Sequence, residues 1–89
     1  MKKVIVITGG SDGLGRTLAE TLSPTNEVII LSPTERKLKE VAKKNKCQYH
    51  VCDVRDYSSV KNCIEEILTE YGTIDILINN AGLWIQEEL

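Results

Sequence analysis

Four short apolar runs, each of strand length, alternate with segments whose apolar residues recur at helical spacing. Lys3–Thr8 is a β-branched run closed by glycines, and Glu27–Leu31 is a second. Gln48–Asp53 and Ile74–Ile78 are the third and fourth. Between the first two, Leu14, Leu18 and Leu22 recur every four residues, on a helix expected to end near Ser23-Pro24. Between the second and third, Leu38, Val41 and Ala42 mark one face of a helix ending near Asn45. Between the third and fourth, Val60, Cys63, Ile64, Ile67, Leu68 and Tyr71 form the longest apolar stripe. Strands that are apolar almost throughout, each separated by one helix, require a parallel sheet covered on both faces. Right-handed crossovers restrict the topology. The expectation is an α/β, Rossmann-like, doubly wound sheet of four strands in the order 3-2-1-4 with three helices.

Local signals place the helix ends. Ser32-Pro33-Thr34-Glu35 reads as a capping box, with Ser32 as cap and Pro33 in the first helical position. Asp56 is the expected cap of the longest helix, and Gly72 suits the left-handed residue that stops it. No repeat, linker or low-complexity stretch interrupts the pattern, and residues 83–89 show no decisive one.

With 89 residues the chain is one domain at most, with a thin core. A formal net charge of −2 argues against nucleic acid bound through a broad basic surface. No apolar run approaches the ~18 residues of a membrane span. Met1-Lys2-Lys3 precedes only four apolar residues, Val4–Ile7, which fits a buried strand better than a signal peptide and makes the cytoplasm the expected location. Cys47, Cys52 and Cys63 are odd in number and match no disulfide framework. With His50 they could make a metal site only by converging, but strand alternation turns Cys47 away from Cys52 and His50, so no metal is expected.

The chemistry concentrates at Thr8-Gly9-Gly10-Ser11-Asp12-Gly13-Leu14-Gly15, between the first strand and the first helix. Glycines there allow a tight turn and let a diphosphate approach without meeting a Cβ. The helix that follows offers unpaired N–H groups and a partial positive charge. A strand-to-helix turn that binds nothing is the alternative. The spacing G-x-x-x-G-x-G differs from G-x-G-x-x-G, and Arg16-Thr17 stands where a phosphate loop would carry its Lys-Ser/Thr pair.

On these residues the chain resembles the short-chain dehydrogenase/reductase family, of the kind with a T-G-x-x-x-G-x-G motif. Thr8, Gly9, Gly13 and Gly15 match its four fixed positions. Asp53-Val54 matches the acidic position that touches adenine, and Asn79-Asn80-Ala81-Gly82 matches the motif lining the pocket beside ribose and nicotinamide. The resemblance runs from Lys3 to about Gly82. It implies that residues 1–89 are a partial NAD(P)-binding domain. The implied cofactor contacts are Thr8, Gly9, Ser11, Asp12, Gly13, Leu14, Gly15, Ser32, Asp53, Val54, Asn79, Ala81 and Gly82.

The family's catalytic Ser, its Tyr-x-x-x-Lys pair and a further Asn lie beyond the N-N-A-G motif. They have no counterpart in the seven residues after Gly82, so no catalytic residue is expected. Tyr57-x-x-x-Lys61 matches by letters only, since it falls before the fourth strand. In the family the residue ending the second strand selects the cofactor. Here it is Ser32, neutral where an acidic residue would favour NAD. Pro33 stands where an arginine would hold a 2′-phosphate, and Asp12 would repel one unless Arg16 or Arg36 compensates. The balance leans slightly to NADP over NAD.

A sheet ending at the fourth strand would leave Ile74–Ile78 with an open apolar edge. A homo-oligomer covering that edge, with Trp84 and Ile85 in the contact, is the expectation. A complementary C-terminal chain supplying the Ser-Tyr-Lys part is the other way to cover it. A structural or regulatory remnant without ligand is the third reading.

Overall fold

The apolar runs become strands in the computed structural model, which describes residues 2–80. The elements are β1 (Val4–Thr8), α1 (Gly13–Leu22), β2 (Glu27–Ser32), α2 (Glu35–Asn45), β3 (Gln48–Val51), α3 (Tyr57–Tyr71) and β4 (Ile76–Asn79). All pairings are parallel and the order is β3-β2-β1-β4, as the alternation of runs predicts. Val4 lies opposite Glu27, Ile5 opposite Ile76, and Ile29 opposite Gln48.

Period-two alternation divides the core between the two sheet faces. Ile5, Ile7, Val28 and Ile30 point to one side, where Ala19 of α1 and Leu38 and Val41 of α2 cover them. Val4, Val6, Ile29 and Leu31 point to the other, against Cys63 and Ile67 of α3. The central strands are therefore buried along nearly their whole length, which is why they read as continuous apolar runs.

Element ends follow local chemistry. The Asp56 carboxylate accepts hydrogen bonds from Ser58 N and Ser59 N, as expected of a cap. Gly72 closes α3 in the left-handed conformation, also as expected. The Ser32 capping box does not form: α2 starts at Glu35, its flanking cap is Thr34, and Ser32 remains the last residue of β2. The Ser32 hydroxyl instead accepts the Thr34 N–H at 3.3 Å. β3 ends at Val51 rather than Asp53, because Asp53 turns to begin the approach to α3. β4 begins at Ile76 rather than Ile74. Asp75 precedes it, donating its N–H to the Val4 carbonyl at 2.9 Å while its carboxylate takes the Val4 N–H at 2.8 Å.

Two stripes are narrower than expected. Leu14 is 64% exposed, and the buried line of α1 is Gly15 and Ala19, with Leu18 and Leu22 beside it. Leu68 of α3 is exposed as well. Among the described residues no helix is long and apolar enough to cross a membrane.

Candidate functional site

Successive strands from β1 to β3 step in one direction, with α1 and α2 on one face; α3 then returns across the other face to β4. The order reverses between β1 and β4. In an open parallel sheet, ligands bind in the crevice beyond the carboxyl ends of strands at such a switch. The turn that fills this position is Gly9–Asp12.

Gly9 donates its N–H to the Leu31 carbonyl at 2.7 Å, folding the turn over the end of β2. Gly15 sits where a Cβ would meet the Gly9 carbonyl oxygen and lie 2.8 Å from Asn80 Nδ2. That contact lets α1 lie close against β1. Gly13 differs: its φ is positive, and nothing lies within 4 Å of where its Cβ would be. A side chain there would be strained and would fill the open space above the turn.

α1 begins at this point without a side-chain cap. Asp12 occupies the cap position, yet its carboxylate accepts nothing from the first turn. The Arg16 N–H donates to the Asp12 carbonyl at 3.2 Å and so opens the helical ladder. The N–H groups of residues 13–15, with no intrahelical acceptor, form the first turn beside the Gly13 space. Such donors, with the positive end of the helix dipole, are what an anion needs.

Two contacts tie the glycine turn to the end of β2. Ser11 Oγ donates to Ser32 Oγ at 3.1 Å, with both residues buried. Nearer to solvent, Lys37 Nζ lies 3.0 Å from Asp12 Oδ2. Arg16, which the sequence suggested as a counter-charge, instead pairs with Glu20 one turn further along α1, at 3.6 Å. Sequence reasoning missed Lys37. The only signal for it was its place in the first turn of α2.

Thr8 and Asn79 join strands. Thr8 Oγ1 donates to Asn79 Oδ1 and accepts the Asn80 N–H, both at 2.9 Å. Asp53 follows β3, whose end is tied to β2 by Cys52 N donating to the Ser32 carbonyl at 2.9 Å. Its carboxylate accepts from Arg55 Nε and Arg55 N at 3.1 and 3.0 Å, and these bonds hold its pKa below the usual carboxylate value. Val54 is half-buried against the α3-side core. Leu14 projects from the first turn of α1 into solvent. Ala81 and Gly82 lie outside the described residues, as do Trp84 and Ile85.

Cys47 packs on the α1/α2 side of the sheet and Cys52 on the α3 side, while His50 Nδ1 lies 3.3 Å from Glu66 Oε2 of α3. The separation of Cys47 follows the alternation read from sequence. A hollow between β3 and α3, lined by His50, Asn62, Glu65, Glu66, Thr69 and Glu70, contains none of the glycine-turn residues. Carboxylates dominate it, so it suits an anionic ligand far less than the turn does. Tyr57 opens α3 and is 80% exposed.

The arrangement can hold an anion at a helix start and a hydroxyl-bearing group at the end of β2. Comparison with known proteins gives the same direction. The model of the short chain dehydrogenase family matches residues 3–89. The uncharacterized oxidoreductase DltE of Bacillus subtilis is 43% identical over 88 residues, covering 96% of this chain and 34% of its own. The NADP-dependent 3-hydroxy acid dehydrogenase of Schizosaccharomyces pombe is 36% identical over 89 residues, covering 91% of this chain and 34% of its own. A metagenomic short-chain oxidoreductase solved in complex with NADP superposes with a TM-score of 0.86 at 29% identity, over 91% of this chain and 39% of that one. The chain thus spans about a third of the length of the curated relatives it matches.

Proposed function

Given that this chain belongs to the short chain dehydrogenase family, we propose that residues 1–89 form the NAD(P)-binding portion of an oxidoreductase. The observation that carries this reading is the start of α1, uncapped by any side chain and facing the open space at Gly13. A dinucleotide bound there would supply hydride transfer. The residues of this chain bind and orient. The N–H groups of residues 13–15 receive the diphosphate. The Ser32 hydroxyl, at the end of β2, meets the adenosine ribose. Asp53 and Val54 border the adenine side. Thr8, Asn79 and Asn80 fix the end of β4 against β1, so that the crevice keeps its shape.

In this reading proton transfer belongs to the Ser and Tyr-x-x-x-Lys groups of the family, for which residues 2–80 provide no counterpart at the crevice. The neutral Ser32 and the NADP named for two of the similar proteins support a lean to NADP. The spacing of the three cysteines suits a reducing cytoplasm.

Exposed Ile76 and Leu77 on β4 and Leu68 on α3 support the view that a second copy or a complementary chain covers this side.

Calorimetric titration of the folded chain with NADPH, then NADH, tests the reading. Saturable binding is expected, and Gly13→Val should abolish it. Gly13 holds a positive φ with open space where a Cβ would stand. A β-branched residue in that left-handed conformation costs roughly 1–2 kcal/mol of backbone strain. Its side chain would also fill the space the diphosphate needs. A folded chain that binds neither dinucleotide would sink the proposal.

A further inference from the structure

The sheet sorts the three free cysteines. Cys47 packs on the α1/α2 side. Cys52, at the exit of β3, and Cys63, in the second turn of α3, are buried together on the other side. Cys52 is fully buried and Cys63 is 7% exposed. Cys63 Sγ donates to the carbonyl of Val51, the residue before Cys52, at 3.6 Å. Its thiol is also hydrogen-bonded with that of Cys52. The backbone around the pair is held in place. Cys52 N donates to the Ser32 carbonyl of β2 at 2.9 Å, and Asp53 N to Ser59 Oγ of α3 at 3.2 Å. Two thiols are thus kept side by side by β2, β3 and α3, and the dinucleotide reading uses neither. Joining them needs no search by the chain, whereas the sheet itself stands between Cys47 and both.

We propose that Cys52 and Cys63 are a site of reversible oxidation, closing to an intramolecular disulfide when hydrogen peroxide reaches the Cys63 sulfur. Nothing in this depends on a bound dinucleotide. Cys63 is the sulfur nearer to solvent and reacts first. Its thiolate attacks one peroxide oxygen; an S–O bond forms, the O–O bond breaks, and the departing hydroxide takes up a proton to become water. The Cys52 thiolate then attacks the Cys63 sulfur; the S–S bond forms, the S–O bond breaks, and a second water leaves. The two thiols lose two electrons, which reduce the peroxide. Exchange with a small dithiol restores both. Burial, the Cys52 thiol and Glu66 push the Cys63 thiol up to about 12. At neutral pH it therefore rests protonated and reacts slowly, through brief opening of the turn between β3 and α3. The closed ring binds β3 to α3 around the turn that carries Asp53 and Val54.

Hydrogen peroxide is the probe. The chain, its fold checked by circular dichroism, is oxidised under native conditions and again in concentrated urea, alkylated, and mapped by mass spectrometry. The folded chain should yield Cys52–Cys63 over either pairing of Cys47 by roughly tenfold or more, because only that pair has its sulfurs in reach. In urea the preference should vanish, since Cys47–Cys52 closes the shortest loop. Cys47→Ser should form the cross-link at the parent's rate, and dithiothreitol should reverse it. The cross-linked chain should melt several degrees higher, because the ring constrains the unfolded state. Pairing in the folded chain that matches the pattern in urea would overturn the proposal. So would Cys52 and Cys63 that stay reduced while Cys47 is oxidised, a Cys63 that runs on to sulfinic acid without pairing, or a cross-linked chain that melts lower.

Discussion

Cys63 and Tyr71 project from α3 into the core under the sheet, and burial favours the protonated form of each. The Cys63 thiol is pushed up from its ordinary value to about 12 by burial, by its hydrogen bond with Cys52 and by nearby Glu66. The Tyr71 phenol is likewise pushed up to about 12 by burial, with the Glu70 and Glu27 carboxylates adding to it. A raised folded-state pKa means that the folded chain keeps protons which the unfolded chain releases. Stability from these groups is complete below the unfolded values and is lost as pH rises through the folded ones. The chain should therefore lose stability from about pH 9 to about pH 12, with Tyr71 contributing from about pH 10 upward. Urea midpoints measured across this range should fall less steeply in Tyr71→Phe than in the parent. Equal slopes would show that the phenol is not responsible. At this same scale the sequence was most misleading where one side chain had two possible employers. Ser32 looked like a helix cap, but Ser11 and the Thr34 N–H claim its hydroxyl from within the turn. Leu14 fitted the helical stripe by spacing, but it sits in the first turn, beyond the sheet that the rest of the stripe covers.

At the scale of elements, one side-chain hydroxyl ties the carboxyl ends of β1 and β4 together. Thr8 Oγ1 satisfies both Asn79 and Asn80 at a partly buried site. Thr8→Val keeps the shape and removes both bonds, leaving the Asn80 N–H without an acceptor, at a cost of about 1–3 kcal/mol. In a domain of this size that lowers the melting temperature by several degrees for each kcal/mol. Thr8→Ser keeps both bonds and should melt much closer to the parent; an unchanged melting temperature for Thr8→Val would show that the joint carries no stability. Strand order, helix number and the ends of α3 were all legible, because apolar periodicity, an aspartate cap and a terminal glycine are local properties. The start of β4 was not. Asp75 leaves the ladder because its carboxylate captures the Val4 N–H, 71 residues away, and no window of neighbouring sequence contains that partner. The Lys37 contact was illegible for the same reason, being 25 residues from Asp12.

For the molecule as a whole, the β4 end of the sheet is less covered than its centre. Leu77 lies opposite Val6 in register, so it faces the α3 side, yet it remains 54% exposed where Val6 is fully buried. With Leu68 on the same side and Ile76 on the other, it leaves apolar surface beside β4, which among the described residues pairs with β1 alone; in the proposed reading a second copy or a complementary chain covers it. Sedimentation at micromolar concentration should show association of the chain alone, and Leu77→Lys should shift it toward monomer. A stable, folded monomer of the parent chain would rule out self-association.

The position of β1 between β2 and β4 also orders the assembly of the fold in time. On one side β1 finds its partner after a short excursion, Val4 against Glu27. On the other it waits for Asp75, 71 residues later, after the six elements from β1 to α3 have been made. Loop closure across so long a span is the slow entropic step in forming a parallel sheet. As the chain leaves the ribosome, the β1–α1–β2 unit and then β3 can pair while one edge of the most buried strand stays bare. The crevice at the switch point, which needs both β1 and β4, forms after the other features of the described residues.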